Sequence, residues 1–83
     1  MPHHTRKLLL DIILAREEIL LFIKGKDFED FLNNRMLQLA LEREFEIIGE
    51  ALTRLELIDL EGIANKIPEY RKIIGFRNII AHG

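Results

Sequence analysis

Cysteine and tryptophan are absent from this chain, tyrosine occurs once, proline twice and glycine five times. Without cysteine there are no disulfides to staple 83 residues together, so apolar burial must hold the fold, and thiolate metal sites are excluded. The same absence fits a cytoplasmic protein. Long apolar runs are missing too. Leu8–Leu14 is broken by Asp11, Ile19–Ile23 is five residues long, and Glu17 and Glu18 lie between them, so neither run can span a bilayer. Asp11, and the want of a small-residue cleavage site, also exclude a secretory leader behind Arg6 and Lys7. No stretch alternates with period two for long enough to make a strand, and there are no repeats.

What is present is apolar surface. The chain is 48% hydrophobic, more than one small domain of residues 1–83 can hide, so part of it is expected to lie against a second copy. The net charge of −2 conceals an uneven distribution. Residues 27–62 hold three basic and ten acidic side chains, whereas residues 63–83 hold four basic (Lys66, Arg71, Lys72, Arg77) and one acidic (Glu69). A basic end on an acidic protein points to a local anion site and not to a broad nucleic-acid surface, although ordinary solvated charge gives the same pattern.

Apolar spacing predicts helices throughout. Leu9, Ile12, Ile13, Ile19, Leu20 and Ile23 make one stripe, and Leu10, Leu14 and Leu21 a second, so the first helix needs two neighbours. Thr5 suits its start and Gly25 its end. Asp27 suits the N-cap of a short helix, Phe28 to Leu32, with Phe28, Phe31 and Leu32 packing inward. From Arg35 to about Ile58 the main stripe is Leu37, Leu41, Phe45, Ile48, Leu52 and Leu55, with a second of Met36, Ala40, Ile47 and Ala51. Gly49, mid-helix, implies close helix packing. Asp59 caps a short turn, Leu60 to Asn65, and Pro68 suits the first turn of a last helix rich in Ile.

Three histidines are candidates for chemistry. His3 and His4 sit at the terminus with no partner ligands at metal spacing, so neither metal nor cofactor is expected. His82 ends an apolar helix beside Arg77 and Asn78. Asn78 and His82, four apart, share a helix face, but Arg77 and His82, five apart, lie roughly 140° apart around the axis. One regular helix does not bring them together. Spacing alone also allows Arg77 to pair with an acidic residue and His82 to serve as a C-terminal helix cation.

The run Ala40-Leu41-Glu42-Arg43-Glu44-Phe45-Glu46-Ile47-Ile48-Gly49-Glu50-Ala51 resembles the central helix of the HepT-like branch of the HEPN superfamily. Ile67-Pro68 through Gly75-Phe76-Arg77-Asn78-Ile79-Ile80-Ala81-His82-Gly83 resembles that family's Arg-Asn-x-x-x-His signature, and Asp27–Leu32 also suits it. The resemblance implies an all-α antiparallel bundle of three long helices plus short segments, paired as a homodimer. It implies a metal-independent endoribonuclease toxin of a type II or VII-like toxin–antitoxin system, with RNA as substrate and a minimal nucleotidyltransferase as antitoxin. Family sites form where two motif copies meet, which removes the need for Arg77 and His82 of one helix to converge. Histidine titrates near neutrality and can exchange protons with the 2′-hydroxyl or the leaving 5′-oxygen, and a positioned Arg can stabilise the phosphorane charge. Asn78 is expected to orient the imidazole or hold a phosphate oxygen. Lys66, Arg71 and Lys72 are expected to guide the RNA backbone. Glu46 and Glu50 read as a solvated face. The family's adenylylated tyrosine would stand one residue beyond Gly83, and its final helix further on, so the expectation is a shortened bundle. The alternative is a non-catalytic HEPN-type module that binds a nucleotide or a partner.

Overall fold

A computed structural model describes residues 3–82, all side chains among them except those of His3, Phe76, Arg77 and residues 79–82. Five helices follow one another: α1 (His3–Ile23), α2 (Phe28–Leu32), α3 (Arg35–Ile58), α4 (Leu60–Lys66) and α5 (Tyr70–His82). There is no strand among the described residues, and none of these helices is long and apolar enough to cross a membrane. The three long helices form an all-helical bundle in which α1 and α5 both pack on α3.

Local chemistry sets the helix ends. Gly25 adopts a φ of 72°, the left-handed conformation that ends α1 without a Cβ clash. Asp27 caps α2 in a full capping box: its side chain accepts from the Asp30 amide at 2.9 Å, and the Asp30 side chain accepts from the Asp27 amide at 2.9 Å. Asn34 caps α3 by accepting from the Leu37 amide at 3.0 Å, and Asp59 caps α4 by accepting from the Gly62 amide at 3.0 Å. Two expected caps fall elsewhere. Thr5 lies inside α1, whose backbone is already helical at His3, and its buried hydroxyl has no partner among the described residues. Pro68 precedes α5: the first four-residue bond of that helix runs from the Ile73 amide to the Glu69 carbonyl, so Pro68 sits in the turn before it.

The core forms around Leu52, which is 0% exposed, with Ile48, Leu55, Ala15, Ile63 and Tyr70. Burying one such leucine is worth roughly 2–3 kcal/mol. α1 contributes Leu8, Leu9, Ile12, Ala15 and Ile19 to this core. Ile13, Leu20 and Ile23, expected to share that stripe, are exposed, because the close contact runs through the small Ala15 and turns them away. The second stripe of α1 (Leu10, Leu14, Leu21) is also exposed, as α1 meets one long neighbour and not two. Phe28 and Leu32, at 71% and 56% exposure, do not pack inward, since the short α2 packs on α3 and not into the core. Met36, the second residue of α3, is 82% exposed. Gly49 is buried, consistent with close packing at mid-helix.

One carboxyl lies inside this packing. Glu44 is 7% exposed, and its Oε2 receives no hydrogen bond from any described donor. Burial, and after it the charge and proximity of Glu18 on α1, hold its carboxyl above the usual carboxylate range. Sequence reading missed this residue. The signal was available: Glu44 lies seven residues after Leu37 and four before Ile48, on the line of the buried stripe.

Candidate functional site on the last helix

The Arg-Asn-x-x-x-His run lies in the second half of α5, which is helical through His82. Nothing in that segment breaks a helix: there is no proline after Pro68, and Gly75, with no neighbour within 4 Å of where a Cβ would stand, sits in open space. The helix is therefore regular enough to place positions by phase. At about 100° per residue, position 77 returns to within about 20° of Tyr70, and position 82 to within about 20° of Arg71. Asn78 is exposed, on the same side as the exposed Arg71. The side chains of Arg77 and His82 lie outside the described ones. Their backbone positions keep the relation expected of five residues, about 7.5 Å of rise and 140° of turn.

The start of α5 is fastened to α3 in a specific way. Tyr70 is 4% exposed and packs in the core with Leu52 and Leu55. The Arg71 guanidinium reaches back across Tyr70, 5.6 Å from its ring centre, and its Nη2 lies 3.4 Å from Glu56 Oε2 near the end of α3. The Glu56 carboxylate, accepting from the Tyr70 hydroxyl, holds that phenol above its ordinary value, and burial adds to the effect. Neither Glu56 nor Tyr70 stood out as functional in the sequence, because their connection spans two helices.

The three expected phosphate guides differ in how far they are engaged. Arg71 is held by Glu56, and Lys72 bridges to Glu69 at 3.1 Å. Lys66, exposed in the last turn of α4, makes no ion pair among the described residues. Arg71 stands eleven residues before His82, about 16 Å along the axis, so within one helix Arg71 cannot touch the phosphate that His82 would serve. Glu46 and Glu50 lie within helix α3, 4.0 Å from Arg43 and 2.9 Å from Arg54 respectively. No group of three or more His, Cys, Asp or Glu able to hold a metal occurs among the described residues.

Two grooves open away from these positions. One of about 550 Å³ lies between α1 and α3, lined by Leu8, Ile47 and the exposed Leu57 together with the Lys7–Asp11 and Glu50–Arg54 pairs. The other, of about 400 Å³, lies between α2 and α3 and is lined by Phe31, Leu41 and Phe45.

An all-helical bundle that carries an Arg-Asn-x-x-x-His run on its last helix defines a class, and comparison with known proteins names it. The model of the family described as "Ribonuclease HepT-like" matches residues 12–83, so the chain belongs to the HepT-like ribonuclease family. Two relatives from Methanocaldococcus jannaschii, each named as a candidate RNase, are 34% and 32% identical, over 94% and 99% of this chain and 70% of their own length. A third, from Caldanaerobacter subterraneus subsp. tengcongensis and named in the same way, is 36% identical over 88% of this chain and 64% of its own length. No solved structure matches the chain at a significant level.

Proposed function

We propose that this chain, acting as one helical domain and as a homodimer, is a metal-independent endoribonuclease toxin whose site comprises Arg77, Asn78 and His82 from two copies. The observation that supports this reading most directly is the family match over residues 12–83, which takes in the whole motif at the end of α5. His82 exchanges protons with the 2′-hydroxyl and the leaving 5′-oxygen, and Arg77 neutralises the charge that builds on the phosphorane. Asn78 steadies the imidazole or a phosphate oxygen, since it lies one turn before His82 on the same face. Lys66 is the strongest of the three phosphate guides, because Arg71 and Lys72 already have carboxylate partners. The antitoxin is a minimal nucleotidyltransferase, and the pair works in the cytoplasm.

The test is cleavage of single-stranded RNA by the purified protein in EDTA. His82→Ala should lower cleavage by about 100-fold or more while leaving the helical circular dichroism intact. Equal cleavage by wild type and variant would overturn the reading.

A further inference from the structure

We infer that Glu56 is a positioning residue for the motif: from α3 it grips Arg71, beside the core-buried Tyr70, and so sets the rotation of α5. The consequence for Arg77 and His82 rests on the proposed ribonuclease reading; the grip itself does not.

Three observations carry the inference. Glu56 Oε2 lies 3.4 Å from the Arg71 guanidinium, and the residue before it, Tyr70, is buried in the core. Consecutive helix positions are about 100° apart around the axis, so holding Tyr70 in the core and Arg71 at a carboxylate resists rolling as well as separation. Among the described side chains, the rest of the α5 seam is apolar, through Ile73 and Ile74, and such contacts oppose detachment but have little directional preference. The Arg71 guanidinium also lies over the Tyr70 ring, 5.6 Å from its centre, which ties the two held positions to each other.

Helix phase connects this grip to the motif. Position 77 lies on the line of Tyr70 and position 82 on the line of Arg71, so the two held residues are the rotational references of the motif's Arg and His. A roll of about 15° would carry a group about 6 Å from the helix axis through about 1.5 Å. Misplacement by about 1 Å at a reacting group is enough to cost about 100-fold in rate. A homodimeric site would carry the error twice, once from each copy.

The experiment compares wild type with Glu56→Ala, Glu56→Gln and Arg71→Gln by amide hydrogen exchange and by RNA cleavage. In Glu56→Ala the amides of residues 74–82 should exchange about tenfold faster, while those of α1 and the middle of α3 stay unchanged. The kcat for RNA should fall about tenfold or more with KM within about twofold, and Gln, which still accepts from the Arg71 guanidinium, should restore most of it. Unchanged exchange across 74–82 overturns the grip; faster exchange with unchanged kcat overturns its role in positioning. Should wild type cleave no RNA, the proposed activity fails and the exchange arm decides the grip alone. Should Glu56→Ala unfold, Arg71→Gln, which weakens the same contact from the other side, gives the same two readouts at a milder perturbation.

Discussion

The two seams of α3 treat the same residue type in opposite ways. Toward α1, Glu44 is buried beside Glu18, two carboxylates with no proton donor between them unless one is protonated. Toward α5, twelve residues further along, Glu56 meets a phenol and a guanidinium. The first seam holds although its polar pair is mismatched, because Leu8, Leu9, Ile12, Ala15 and Ile19 supply apolar contact along its length. The second is shorter and depends more on directional contacts. A carboxylate on a helix therefore has no fixed value; the group brought opposite by the fold decides it.

The most damaging way to probe the comparison is to remove what both seams share. Leu52→Ala, at the one fully buried leucine, should cost about 3 kcal/mol or more and lower the Tm by well over 10 °C in thermal unfolding. A loss below about 1 kcal/mol would mean that the seams do not depend on a common core. Next in size, Glu18→Lys converts the α1 seam to the kind found at α5. It should raise stability by about 1–2 kcal/mol, seen as a Tm several degrees higher, since Glu44 would then face an opposite charge. No gain would mean that the two side chains do not sense each other.

The smallest change is Glu44→Gln, and its size depends on pH. The folded-state pKa of Glu44 is raised, so between its ordinary value and the raised one the folded chain holds a proton that the unfolded chain releases. That contribution is complete below the ordinary glutamate value and is lost as pH rises through the raised one. Glu44→Gln should match wild type near the acid end of this window and be measurably more stable at neutral pH. Denaturant melts at several pH values would show it, and a gap that stays constant with pH would contradict the assignment.

Much of the architecture was legible in residue order. Asp27 and Asp59 marked helix starts, and Gly25 marked the end of α1, because capping depends on groups three or four residues away. The Ile48–Leu52–Leu55 stripe was legible for the same reason. Thr5 was not, since a residue fit to cap is also compatible with a helix interior once the chain before it is helical. Phe28, Leu32 and Met36 were misread because periodicity shows that a face is apolar without showing whether a neighbour reaches it.

The candidate site divides along the same line. Its residue types and spacing, Arg77, Asn78 and His82 on one helix, follow from the sequence by itself, as do the basic end and the family resemblance. Only the tertiary structure decided that Arg71 is held by Glu56, that Tyr70 lies in the core beneath it, and that Glu44 is buried against Glu18. The physical reason is range. Caps and helical stripes are set by interactions within a turn or two, whereas the charge state and engagement of a side chain depend on what another helix, dozens of residues away, places within a few ångströms of it.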